Sequence, residues 1–159
     1  MELPLDKVDR DWSLGNCYFI TLEFMKDLDS LLAGGLLLAN AEIRLVHGMV
    51  DGINGRIQHA WIEINGRVGE MSNGQRVNVT VEEYYKFHNA SPARRFTRTE
   101  ADALLGFLKT PDGELPIAYW GNVTDQQLVL AMTQYEPSKG VFASGVAFSD
   151  PKSPSQSSD

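Results

Sequence analysis

The chain has 159 residues, 43% of them hydrophobic and 22% charged, the proportions of an ordinary globular protein and not of a disordered or membrane-embedded one. Its length suits one hydrophobic core, and its formal charge of -7 lacks the concentrated positive footprint that nucleic-acid phosphates require. A single cysteine rules out an internal disulfide framework and a thiolate-rich zinc site.

The N-terminal residues, Met1-Glu2-Leu3-Pro4-Leu5-Asp6, show neither the basic start nor the apolar run of a secretory signal, so a cytoplasmic protein is expected. The first ten residues read as an arm lying on the domain. From Cys17 to about Leu32, the spacing of Ile20, Phe24, Leu28 and Leu31 predicts an amphipathic helix with one packed side. Asn16 is its expected N-cap, which puts Cys17 in the first turn, where free backbone N–H groups and the helix field favour a thiolate. Gly34-Gly35 closes the helix before a short second piece at Leu36 to Ala41. The apolar run from Leu31 to Ala39 is too short to span a bilayer.

The period then changes to two. Ile43, Leu45, His47 and Met49 share one face of a predicted strand, and a five-residue link from Asp51 to Gly55 leads to a second strand, Arg56 to Ile64. Asn65-Gly66 is a two-residue hairpin signal, with Arg67 to Ser72 returning as a third strand. Thr80-Val81-Glu82-Glu83 has the form of a capping box opening a helix through Phe87. Pro92 to Phe96 is ambiguous, with a strand as one option. Thr99-Glu100-Ala101-Asp102 resembles a cap before Leu104 to Leu108, and Thr124-Asp125-Gln126-Gln127 has capping-box spacing before a helix over Leu128 to Tyr135. Val141 to Phe148 reads as a late strand. The expected organisation is one α+β domain over 1–149, with a nucleophile helix packed on an antiparallel sheet, and a disordered Ser- and Pro-rich tail over 150–159.

Within this frame Cys17, His59 and Glu70 are the candidate catalytic residues. Alternation puts His59, Trp61 and Glu63 on one strand face. A two-residue turn at Asn65-Gly66 sets Trp61 opposite Glu70, so Glu70 shares that face one diagonal step from His59. A carboxylate there accepts a hydrogen bond from one imidazole nitrogen and leaves the other for the thiol. The five-residue link sets His47 opposite His59, which opens a second reading in which His47, His59 and Glu70 ligate zinc or iron. Otherwise His47 supports the site by packing or hydrogen bonding, as do Asn16, through an oxyanion contact, and Trp61, mainly as core. Arg94, Arg95 and Arg98 form the only basic cluster, an anion site or a set of ion-pair partners. Tyr119-Trp120-Gly121-Asn122 is a candidate groove-lining loop, and His88 is expected at the surface.

Gly15-Asn16-Cys17-Tyr18, Leu45-Val46-His47-Gly48, His59-Ala60-Trp61-Ile62-Glu63 and Tyr84-Tyr85, in that order, resemble small bacterial and phage proteins of the papain-like, transglutaminase-like cysteine superfamily. The resemblance implies a papain-like core with cysteine on the helix, histidine on one strand and an acidic or amide residue on the next. Those places fall on Cys17, His59 and Glu70, with Glu where Asp or Asn is usual. It further implies acyl transfer on a protein or peptide amide, as a protease, deamidase or transglutaminase-like effector without a cofactor. The acidic chain favours a basic substrate, and neither a nucleic acid nor a membrane is an expected partner. Two other functions remain open: an acidic protein-binding inhibitor or effector on a weak or inactive scaffold, and the His/Glu metal enzyme.

Overall fold

The computed structural model describes residues 17–35, 40–70, 77–108, 112, 117–140 and 142. The expected N-terminal arm, Asn16, the short second piece after Gly35, most of the late strand and the tail all lie outside these residues.

The helical spacing after Asn16 produces helix α1, Cys17–Ala33. It ends where Gly35 turns to φ +77°, a conformation that glycine adopts without steric cost. The packing exceeds the one-sided expectation, because every residue from Ile20 to Met25 is buried, Thr21 and Glu23 included.

The sheet has the order β4-β3-β2-β1-β5, and every pairing in it is antiparallel. Its strands are β1 (Ile43–Gly52), β2 (Gly55–Ile64), β3 (Arg67–Glu70), β4 (Val77–Thr80) and β5 (Ser91–Phe96). The β2–β3 turn takes positive φ at both Asn65 and Gly66, as a two-residue turn matched to strand twist requires. It gives the expected register, Ile64 opposite Arg67 and Ile62 opposite Gly69, which carries Glu70 alongside Trp61. The β1–β2 link is shorter than the predicted five residues. Gly52 pairs with Gly55 and the turn is Ile53-Asn54 alone, with Gly55 at φ +126°. That difference moves the register by one residue, so His47 lies opposite Ala60, while Gly48 lies opposite His59. Strand β4 was not legible in the sequence, and the ambiguous Pro92–Phe96 stretch is a strand at the far edge of the sheet.

Two apolar clusters lie on the two faces. On one, Ile20, Phe24 and Leu28 of α1 pack with Leu45, Ile62, Ile64 and Phe96. Helices α3 (Arg98–Phe107) and α4 (Asp125–Thr133) join this cluster through Leu104, Leu105 and Ala131. On the other face Val46, Val50, Trp61 and Val68 pack with Tyr84, which is carried by helix α2, Val81–His88. Among the described residues, no helix is long and apolar enough to cross a membrane.

Candidate functional site

Strand alternation places His59 on the α2 face together with Trp61 and Glu70. The ring is almost wholly buried and is held from two directions. Its Nε2 meets Glu70 Oε1 in a short contact, and it hydrogen-bonds the thiol of Cys17. With Nε2 committed to the carboxylate, Nδ1 is the nitrogen left for sulfur. Strand β3 ends at Glu70, so the flank of β2 beside His59 has no β3 partner among the described residues. The half-buried Cys17, in the first turn of α1, meets the imidazole at this end of the sheet.

Glu70 is itself buried and uses both oxygens, since the Tyr84 hydroxyl donates to Oε2 at 2.5 Å. The two contacts leave the carboxylate little freedom to rotate. The longer glutamate side chain thus bridges a histidine on β2 and a phenol on α2. Burial alone would lower the pKa of His59. The hydrogen bond to Cys17, together with the hydrogen bond and charge of Glu70, outweighs it and raises the value to about 10. Desolvation and the neighbouring Glu70 charge hold the Tyr84 phenol far above its ordinary value, so it is a permanent donor.

His47 lies in the opposite environment. It faces the α1 side, fully buried, stacked between Tyr18 (ring centroids 5.4 Å apart) and Trp120 (5.5 Å). The Trp120 backbone N–H donates to its Nδ1 at 2.9 Å. Burial first, and the charge of His59 second, lower its pKa to about 3. A neutral ring that accepts at Nδ1 carries its proton on Nε2, and that Nε2 has no hydrogen-bond partner among the described residues. Leaving such a donor unsatisfied costs roughly 1–3 kcal/mol.

The loop expected to line a groove instead secures this ring. Trp120 supplies the hydrogen bond, Tyr119 lies 5.8 Å from His47 and 6.1 Å from Tyr18, and a Cβ at Gly121 would overlap the Tyr119 ring at 2.0 Å. Only glycine allows that fold-back.

The remaining assignments sort as follows. The premise that His47 stands opposite His59 fails with the hairpin register, and no cluster of three or more His, Cys, Asp or Glu among the described residues is arranged to hold a metal. Trp61 is core: fully buried, tilted against Tyr84 at 5.5 Å, and donating from Nε1 to Glu63 at 3.1 Å. Gly48 makes room for it, since a Cβ there would meet Trp61 at 3.0 Å and the Ser91 carbonyl at 2.3 Å. Of the arginine cluster, Arg94 pairs with Asp125 at 2.7 Å and Arg95 with Glu63 at 3.3 Å, while the Arg98 guanidinium lies over the Phe142 ring at 5.7 Å. His88 is half-buried against Tyr84 and, with His59, Glu70, Tyr84, Val50 and Ile57, lines an open groove of about 720 Å³. Cys17 is not among the walls of that groove.

Sequence reasoning missed the role of Tyr84. Its signal was present in the capping box at Thr80, which starts α2 directly after a strand and puts an aromatic residue one turn in. Comparison of the chain with models of known families, with characterised proteins and with solved structures finds no match.

Proposed function

We propose that this protein is a thiol-dependent acyl-transfer enzyme with a papain-like arrangement of nucleophile helix and antiparallel sheet, acting on an amide or thioester carbonyl of a protein or peptide. One observation carries the reading: the His59 imidazole is hydrogen-bonded to the Cys17 thiol and to the Glu70 carboxylate at once. Nucleophile, base and orienting group are the parts that covalent catalysis by cysteine requires.

In this reading His59 takes the proton of Cys17, and the raised pKa of the ring favours the imidazolium so formed. The sulfur attacks the carbonyl carbon, and the C=O electron pair moves onto oxygen. Collapse of the tetrahedral species reforms the carbonyl and expels the leaving amine or thiol, which takes the proton back from His59. The thioacyl group on Cys17 then passes to water or to an amine. Water corresponds to proteolysis or glutamine deamidation, and an amine to transglutamination. Glu70, fixed by Tyr84, keeps Nε2 occupied and Nδ1 turned to sulfur. The formal charge of -7 favours a basic partner by long-range steering.

The test is trapping. Wild type and Cys17→Ala are incubated with cell lysate, and each is followed by intact mass while the lysate is searched for new termini and for glutamines converted to glutamate. A mass adduct confined to Cys17 and a modification lost in Cys17→Ala are expected. Equal lysates from two equally folded proteins would leave the scaffold with a binding role.

A further inference from the structure

We infer that the groove beside His59 selects the amine side of the reaction, holding the aliphatic side chain of the residue whose nitrogen leaves in acylation or attacks in transfer. This rests on the thiol reading above and names the chemistry that the site accepts. The link is the proton. In that reading the leaving nitrogen takes its proton from His59, so it lies about 3 Å from the ring. The side chain on the adjoining carbon then lies against the imidazole, and the same ring is a wall of the groove of about 720 Å³.

What the groove offers next to that ring is apolar. Ile57 precedes His59 by two residues on β2, so it shares the same face about 6.5 Å along the strand, and Val50 lies opposite it in the hairpin register. Val50 is buried, whereas Ile57 is 48% exposed and lines the groove. Gly52 leaves it room, since a Cβ there would meet the Ile57 side chain at 2.9 Å. The α2 wall is preset as well. Tyr84 and His88 stand one turn apart with ring centroids at 4.5 Å, and Arg56 joins the end of α2 to β2 by donating to the Asn89 carbonyl and to Ser91 Oγ, the latter at 2.9 Å. A wall already in place costs little ordering when a side chain enters. The acidic groups beside it are engaged: Glu70 spends both oxygens on His59 and Tyr84, and Asp51 at the rim pairs with Arg56 at 3.0 Å. A cationic side chain therefore gains no partner here, and an aliphatic one gains Ile57 and the flank of the ring.

The experiment forms the acetyl-enzyme and offers it amines. Cys17 is acetylated with p-nitrophenyl acetate, which releases nitrophenolate, and glycinamide or leucinamide then competes with water for the acetyl group. The amine lone pair forms the new C–N bond, His59 accepts the N–H proton, and the C–S bond breaks to return the thiol. Deacetylation is followed by intact mass and the acetylated amide by chromatography, with a small free thioester as the reference for each amine. Leucinamide is expected to react about 10-fold faster than glycinamide on the enzyme, against about equal rates on the free thioester. In Ile57→Thr, which keeps the branched shape that the strand favours, the ratio is expected to fall to about threefold or below. In Ile57→Glu lysinamide is expected to overtake leucinamide. Each ratio is taken within one protein, so a general loss of reactivity cancels. A wild-type ratio equal to that of the free thioester overturns the inference, as does an unchanged ratio in Ile57→Thr with no gain for lysinamide in Ile57→Glu, and in both cases the acetyl-enzyme upholds the thiol reading. If wild-type Cys17 is not acetylated at all, both fall together.

Discussion

The two inner histidines show how one residue type is driven in opposite directions by its surroundings. His59 gains a thiol and a carboxylate and is raised to about 10, whereas His47 gains only aromatic walls and a backbone donor and is lowered to about 3. The consequences for stability have opposite signs. The contribution of His59 is fully present below its unfolded value, about 6.5, and is lost as pH rises through 10. The contribution of His47 is present above about 6.5 and is lost as pH falls towards 3, amounting to as much as about 5 kcal/mol. Urea titrations across pH are therefore expected to show both limbs. His47→Phe should flatten the acid limb. Glu70→Gln should bring the alkaline limb to lower pH, since it removes the charge that supports the imidazolium. An unchanged acid slope in His47→Phe would mean that the buried ring is not the titrating group.

At the scale of elements, local chemistry made most boundaries legible. The α1 stripe follows from apolar spacing, the Asn65-Gly66 turn from two residues that accept positive φ, and the boxes at Thr80 and Thr124 from side chains that satisfy their own helix backbone, reciprocally in both cases. Two readings failed for identifiable reasons. The cap of α3 is Thr97, whose hydroxyl receives Glu100 N–H at 3.1 Å while the Glu100 carboxylate receives Thr97 N–H at 2.9 Å. Thr99 instead lies inside the helix. Thr99 mimics a cap in the sequence because the acidic residues after it resemble a first turn. Thr97→Ala is expected to cost about 1 kcal/mol, against less than about 0.5 kcal/mol for Thr99→Ala, measured by chemical denaturation. Equal losses would contradict the assignment. The second failure, at the β1–β2 link, came from counting the turn-forming residues Asp51 to Gly55 as loop when Asp51 and Gly52 still pair with Arg56 and Gly55.

For the molecule as a whole, the α+β architecture with a helix on an antiparallel sheet could be read from the switch of hydrophobic period after Ala41. The long-range parts could not. Strand β4, four residues running straight into the Thr80 cap, is too short to show a period of its own, and the burial of every residue from Ile20 to Met25 depends on what surrounds α1. The placing of His59 and Glu70 on one face follows from strand alternation and a two-residue turn, and the two side chains meet there. Nevertheless, the sequence placed thiol and imidazole without showing that α1 packs on one face while His59 points to the other. Tyr84 and Trp120 enter the site from α2 and from the segment after α3, through contacts that no spacing rule reaches.

The proposed activation of Cys17 by His59 is tested most directly by the rate at which iodoacetamide modifies Cys17 from pH 5 to 10, in wild type and in His59→Ala. Wild type is expected to react faster near neutral pH, because the neighbouring imidazole can take up the thiol proton. His59→Ala, without that base, should show near-neutral rates about 10-fold or more lower. Superimposable profiles for two folded proteins would show that the sulfur does not sense the imidazole.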